Sequence, residues 1–172
     1  APLWETCCNR VMKVPVLRRG EIMEMEHSQA FFEIANPRLA GTLVPVFSLR
    51  SEGSYGVGDF GDLRLMIDWV AYTGQRVLQI LPMNDTTVTH TWKDSYPYSC
   101  ISIFALHPQY ADFRQLPALK DKKKAAEFEA LREELNALKQ IDYERVNKAK
   151  REYLRLIFAQ EGQNVLASTE FK

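Results

Sequence analysis

The sequence predicts an α/β fold built on parallel strands. Three observations predict it: a run of β-forming residues at 42–48 (TLVPVFS), an apolar stripe at helical spacing through Leu63, Met66, Ile67 and Val70, and a second apolar run at 77–81 (VLQIL). In chain order these are strand, helix and strand. The helix is long enough to return the chain for a parallel pairing, which makes a βαβ unit.

Ahead of that unit, residues 10–26 alternate loosely between apolar and charged side chains around Arg18, Arg19 and Gly20. Glycine accepts the positive φ of a tight turn, so this segment reads as a β-hairpin. Residues 27–40, with Pro37 and few periodic apolar positions, read as a connector. Residues 1–40 are therefore expected to be a hairpin and linker fitting the end of an upstream module, in keeping with a chain that opens on Ala1 rather than methionine. Residues 41–172 form the α/β part.

Within 42–48 the apolar residues do not alternate with polar ones, the pattern of a strand buried on both faces. The stripe at positions i, i+3, i+4 and i+7 from Leu63 gives the helix one inward face, and Gly74 can end it as a left-handed cap. Further on, Ala125, Phe128, Leu131, Leu135 and Leu138 mark one amphipathic helix, and Val146, Ala149, Tyr153 and Ile157 a second. A break at 140–142 separates them. The lysines of 120–124 are interleaved with Asp121 and followed by acidic residues, and read as a solvated helix face.

Composition narrows the function classes. With 46% hydrophobic residues among 172 and few glycines and prolines, the chain can bury a core. Its 22 basic and 22 acidic residues cancel, leaving no net field to attract a phosphate backbone or an anionic membrane, so neither is an expected partner. No apolar run approaches the roughly 20 residues that cross a bilayer, and no basic-then-apolar leader opens the chain. A cytoplasmic location is the expectation. The three cysteines include neighbours Cys7 and Cys8, which make a poor disulfide framework and are expected to be reduced. His27, His90 and His107 lie too far apart in sequence to suggest a metal site.

Chemistry belongs at the carboxyl ends of parallel strands, where loops converge. The loop at 50–59 carries Gly53, Gly56 and Gly58. Their spacing does not reproduce a dinucleotide fingerprint and no P-loop lysine follows, so the segment reads as a tightly turned loop. The loop after the second strand is different. Asn84, Asp85, Thr86 and Thr87, then Trp92, Asp94, Ser95, Tyr96, Pro97, Tyr98 and Ser99, combine hydroxyls, carboxylates and aromatic rings. That mixture suits a sugar, whose C–H faces pack on rings while its hydroxyl rim needs donors and acceptors. The same aromatics could equally be packing residues of a large loop.

The stretch 41–108, and in particular PVFSLRS, GVGDFGDL, QILPMNDT and DSYPYS, closely resembles the opening of the amylomaltase or disproportionating-enzyme family of 4-α-glucanotransferases, in its plant cytosolic and Bacteroides-like branch. More weakly, Ile141, Asp142, Tyr143, Glu144, Arg145 and Val146, followed by Lys148 and Lys150, resemble that family's helical insertion.

The resemblance implies a (β/α)8 barrel whose first strand, first helix and second strand lie within 42–81, with a helical insertion at about 118–160. It implies a retaining double displacement on maltose, maltooligosaccharides and α-glucans without a cofactor. It also implies that the catalytic carboxylates come from later strands, so no catalytic residue and no activity is expected of this chain alone. Tyr98 matches the tyrosine of the family's Asp-Ser-Pro-Tyr motif, which lines the donor side of the sugar site, and Asp94 and Ser95 match its first two residues. Tyr96 intervenes before Pro97, as it does in the named branch. Asn84, Asp85 and Tyr55 are candidate lining residues on position alone. Open strand edges are an expected route to oligomers. Two other readings stand beside this one: a non-catalytic glucan-binding or interaction fragment, and an amylase-type barrel, which the named motifs fit less well.

Overall fold

The computed structural model describes residues 11–13, 39–169 and 171. Within them a three-stranded sheet has the order β1-β3-β2, from β1 (Val11–Lys13), β2 (Gly41–Leu43) and β3 (Val77–Gln79). Strands β2 and β3 pair in parallel, with Thr42 opposite Leu78, and α1 (Phe60–Tyr72) lies between them in sequence, so the expected βαβ unit is present. β1 pairs antiparallel with the other edge of β3, Met12 opposite Leu78. The expected hairpin turn at Arg18 to Gly20, most of the 27–40 connector, and Cys7 and Cys8 lie outside the described residues.

Two strand expectations need correction. The run 42–48 is a strand only as far as Leu43 and then becomes a 3-10 turn at Val46–Ser48. Pro45 is the cause. Val44 still donates to the Gln79 carbonyl at 2.9 Å, but Pro45 has no N–H to continue the ladder, and its extended backbone starts the turn. Nor is the run buried on both faces, since Leu43 is exposed and only Val46 of the seven is buried. The second strand likewise stops at Gln79, although Ile80 remains buried beyond it.

Helix α1 follows the sequence closely. Asp59 is its N-cap, accepting from Gly61 N and Asp62 N at 2.9 and 3.1 Å, and Asp62 returns the contact by accepting from Asp59 N at 3.1 Å. Leu63 and Val70 are buried, with Met66 and Ile67 packed against them, and Gly74 ends the helix at φ +76. This face, together with Val46, Leu78, Ile80 and Tyr110, makes the first core cluster.

The C-terminal part is two helices, α2 (Lys122–Ala137) and α3 (Tyr143–Ala167), capped by Asp121 and Asp142 and separated where expected. The lysines at 122–124 are exposed. Leu135, Val146 and Ala149 bury themselves against Tyr55 and Val57 of the loop after the 3-10 turn, making a second cluster. Phe47 packs on both clusters. The glycine-bearing loop is thus the seat of the helical pair. Gly56, at φ +75, lets the backbone pass against Leu135, and Arg50 donates to the Leu138 and Asn136 carbonyls at 2.6 and 3.0 Å. Among the described residues no helix is long and apolar enough to cross a membrane, and no group of three or more metal-ligating side chains converges.

Candidate functional site

The segment after β3 leaves the sheet at its carboxyl end and returns on itself. Asp85 N donates to the Ala105 carbonyl at 2.9 Å, Ile101 N to the Asp85 carbonyl at 2.8 Å, and His107 N to the Met83 carbonyl at 2.9 Å. Asn84 adds a side-chain bond to the Ile103 carbonyl at 3.0 Å. These contacts close the neck of a loop whose outer part carries the aromatic residues.

Inside that loop Asp94 is 8% exposed and surrounded by donors. Its carboxylate accepts from Val88 N at 3.2 Å, Thr89 N at 3.0 Å, Thr89 Oγ1 at 2.9 Å and His90 N at 2.6 Å. Burial alone would raise its carboxyl. The donors of Thr89, His90 and Val88 outweigh that and hold it below the ordinary carboxylate range. The buried Thr86 hydroxyl donates to the Asp94 carbonyl at 2.5 Å. The ring of contacts forces His90 to φ +59, uncommon for a residue with a side chain.

Beyond Asp94 the chain turns through residues 96–99, where Ser99 N donates to the Tyr96 carbonyl at 3.2 Å. Tyr96 and Tyr98 are both exposed, their ring centroids 5.5 Å apart. Ser95 is half-buried in the 3-10 turn Trp92–Ser95, and Asn84 and Asp85 are half-buried at the strand end. The structure therefore brings Tyr98, Ser95, Asn84 and Asp85 into one loop system. It places Tyr55 elsewhere. Tyr55 is 4% exposed in the second cluster, its hydroxyl donating to the Phe128 carbonyl at 3.0 Å and its ring edge-on to Phe113.

Helix α3 supports the loop from behind. Arg151 Nη1 meets His90 Nδ1 at 2.8 Å, and Glu144 accepts from Trp92 N at 3.3 Å. A cavity of about 20 Å³, enough for one water, lies among Thr87, His107, Gln109 and Lys150. An open groove of about 580 Å³ separates the exposed Trp92 from the turn at 138–144.

Three polar residues escape a reading by sequence. Lys150 is 1% exposed and donates to the Gln109 and Ala111 carbonyls at 2.6 and 2.9 Å, with Asp59 Oδ2 at 3.8 Å and the Phe113 ring beneath it. Arg114 bridges Asp59 at 2.7 Å and Asp112 at 2.6 Å. His107 is buried, its Nδ1 accepting from Gln109 N at 3.1 Å, an assignment that puts the ring proton on Nε2 facing Thr87. A lysine at i+4 from Val146 on the buried stripe is the only sequence signal any of them leaves.

Burial pushes Lys150 down from its ordinary 10.5 to about 8, against the pull of Asp59, Asp62 and Asp112. The native state then releases this proton before the unfolded state does, so stability contributed by this group rises with pH between about 8 and 10.5. Buried tyrosines act oppositely. Burial raises Tyr110 from 10.0 to about 12, and its contribution is lost as pH rises through that value. Urea midpoints at pH 7.5, 9.5 and 11.5 should therefore rise and then fall, and a midpoint that declines steadily from pH 7.5 would count against the lowered proton affinity of Lys150.

Comparison with known proteins bears on this site. The family described as 4-alpha-glucanotransferase matches residues 44–172. The chain is 42% identical over 135 residues to the 4-alpha-glucanotransferase DPE2 of Oryza sativa subsp. japonica, a match covering 78% of this chain and 14% of that protein. It is 43% identical over 115 residues to a 4-alpha-glucanotransferase of Chlamydia trachomatis, covering 66% of this chain and 20% of that protein. A Haemophilus influenzae 4-alpha-glucanotransferase is 35% identical over 88 residues, covering 51% of this chain and 12% of that protein. The chain thus spans a fifth or less of the length of these curated relatives.

Proposed function

The chain belongs to the 4-alpha-glucanotransferase family, and from that premise we propose that it forms the opening part of an enzyme moving α-1,4-linked glucosyl units between maltose or maltooligosaccharides and glucan acceptors. In this reading β2, α1 and β3 begin a (β/α)8 barrel, and the pair α2 and α3 is its helical insertion. The enzyme works in the cytoplasm and without a cofactor.

The observation that carries the reading is the loop at the carboxyl end of β3, with Tyr96 and Tyr98 exposed side by side. Their rings offer flat apolar surface to a pyranose face and their hydroxyls serve its rim. Tyr98 is the principal sugar contact, with Ser95, Asn84 and Asp85 at its margin. Retention of anomeric configuration requires a nucleophilic carboxylate and an acid/base partner facing one open site. Here the buried carboxylates Asp59, Asp62 and Asp94 are each occupied by the chain's own donors. That supports a reaction whose carboxylates come from other strands, leaving this part to bind and orient.

The exposed aromatic pair also favours a second reading, in which the chain alone retains glucan affinity without turnover; β2, an edge strand among the described residues, offers a route to association. Incubation with maltotriose separates the two. The longest natural polypeptide carrying the chain should convert it to glucose and longer maltooligosaccharides, whereas the 172-residue chain should leave it unchanged. Release of glucose and maltose alone would instead mean hydrolysis, and would sink the transferase reading. In the active polypeptide, Tyr98→Ala should raise KM for maltotriose about tenfold, the effect of losing one stacking contact of about 1.4 kcal/mol. An unchanged KM would remove Tyr98 from the sugar site.

A further inference from the structure

The turn carrying Tyr96 and Tyr98 hangs between two anchors. On one side Ile101 N is held by the Asp85 carbonyl at 2.8 Å. On the other the chain is held by the 3-10 turn Trp92–Ser95, in which Asp94 binds the preceding segment through its carboxylate, its carbonyl and its own N–H, the last donating to the Thr91 carbonyl at 3.1 Å. Beyond that 3-10 turn, from residue 96 to 100, the hydrogen bonding within the segment is the single Ser99 to Tyr96 bond among the described residues.

We infer that Asp94 is a positioning residue for glucan binding: it sets the height and angle of the tyrosine turn and does not itself contact the sugar. The inference rests on the proposed role of Tyr98. Both carboxylate oxygens are already committed, Oδ1 to Thr89 N and Thr89 Oγ1, and Oδ2 to Val88 N, Thr89 N and His90 N. An ionised carboxylate has about four lone-pair sites, so little capacity is left for a sugar hydroxyl. At 8% exposure there is little surface for one to reach.

The same contacts explain why an aspartate is needed. Three successive amides, at 88, 89 and 90, converge on one carboxylate only if the chain curls tightly, and His90 takes the unfavourable φ +59 that this curl demands. Charge-assisted bonds are strong enough to hold that conformation, where a neutral acceptor would hold it less well. Helix α3 braces the curl, since the Arg151 guanidinium donates to His90 Nδ1 at 2.8 Å. Asp94 thereby couples the helical pair to the aromatic turn.

The test uses the longest natural polypeptide that carries the chain, with Asp94→Asn, Asp94→Ala and Tyr98→Ala, alone and combined. Asn keeps one acceptor oxygen and should retain part of the Thr89 contact. KM for maltotriose should rise several-fold in Asp94→Asn and by up to about tenfold in Asp94→Ala, because a positioning residue can lose no more than the Tyr98 contact it positions. In the Tyr98→Ala background neither Asp94 substitution should raise it further, because both act through one contact. Hydrogen exchange followed by mass spectrometry supplies a readout independent of activity: the peptide covering 86–99 should take up deuterium faster in the Asp94 variants, with β2, α1 and β3 unchanged. Additive effects of the Asp94 and Tyr98 substitutions would overturn the inference by showing an independent sugar contact, and so would unchanged exchange at 86–99. If Asp94→Ala does not fold, Asp94→Asn carries both readouts. An unsubstituted protein without transfer activity would defeat the transferase reading instead, and the exchange measurement would still decide the role of Asp94 in the turn.

Discussion

Replacing Lys150 with methionine is expected to lower the stability of the fold by about 3–5 kcal/mol, the range for breaking a buried charged contact from one side. Methionine keeps the length and apolar stem of lysine but offers no donor. The Gln109 and Ala111 carbonyls, which Lys150 Nζ satisfies at 2.6 and 2.9 Å, would be left without it. Each buried acceptor stripped of its partner costs about 1–3 kcal/mol. Asp59 would lose a neighbouring cation but keep Arg114 and the amides of Gly61 and Asp62, so the larger share of the cost falls on the carbonyls. Thermal melts should show the midpoint falling by roughly 10 °C, at the 2–4 °C per kcal/mol typical of chains this long. Arginine is no substitute, because a site built around one compact ammonium at 1% exposure has no room for a planar fork. A midpoint within 2 °C of the parent for Lys150→Met would show that the burial is not reproduced in solution.

The second large effect is expected at Gly58. A Cβ there would overlap the Val46 carbonyl oxygen and stand 2.8 Å from the Leu49 carbonyl oxygen. Both obstacles are backbone, one in the 3-10 turn that delivers Val46 to the first core cluster and Phe47 to both clusters, the other in the Leu49 that caps it. Gly58 N also donates to the Phe47 carbonyl at 3.1 Å, so the two segments cannot separate without losing that bond. Gly58→Ala should cost about 3 kcal/mol or more, at the upper end of overpacking. Gly74→Ala makes the control. Its φ of +76 disfavours a side chain but nothing lies within 4 Å of the added carbon, and the cost should be only about 1 kcal/mol. Equal losses in the two variants would mean that backbone conformation, and not the crowded contact at Gly58, sets the cost.

The helices were the most legible part of the fold. Periodic apolar positions placed α1, α2 and α3 and the break between the last two, because one buried face leaves a direct trace at 3.6-residue spacing. The strands are shorter than their apolar runs. An apolar run such as 42–48 carries no period to distinguish strand from turn, and the deciding fact was the missing N–H of Pro45. The aromatic loop was visible from its composition alone, but the occupation of Asp94 was not, since donors at 88–90 reach it only after the chain curls. Lys150 and Tyr55 were illegible for another reason. Each is buried by a segment about 40 or more residues away, and although its spacing from Val146 puts Lys150 on the buried stripe, nothing in the sequence names a partner at that range.

Phe47 is a shared wall. It packs against the cluster that holds Val46 and Leu63 and against the one that holds Leu135 and Val146, so its ring belongs to both halves of the described chain. If the helical pair lifts away, one face of that ring meets water and the parallel strands lose packing they did not directly contribute. If the strands open, the helices lose the platform on which Tyr143 meets Phe47 edge-on, 6.4 Å between ring centroids. The helical pair and the strand-helix-strand unit are therefore expected to melt together as one cooperative block, with hydrogen-exchange protection of similar size in both.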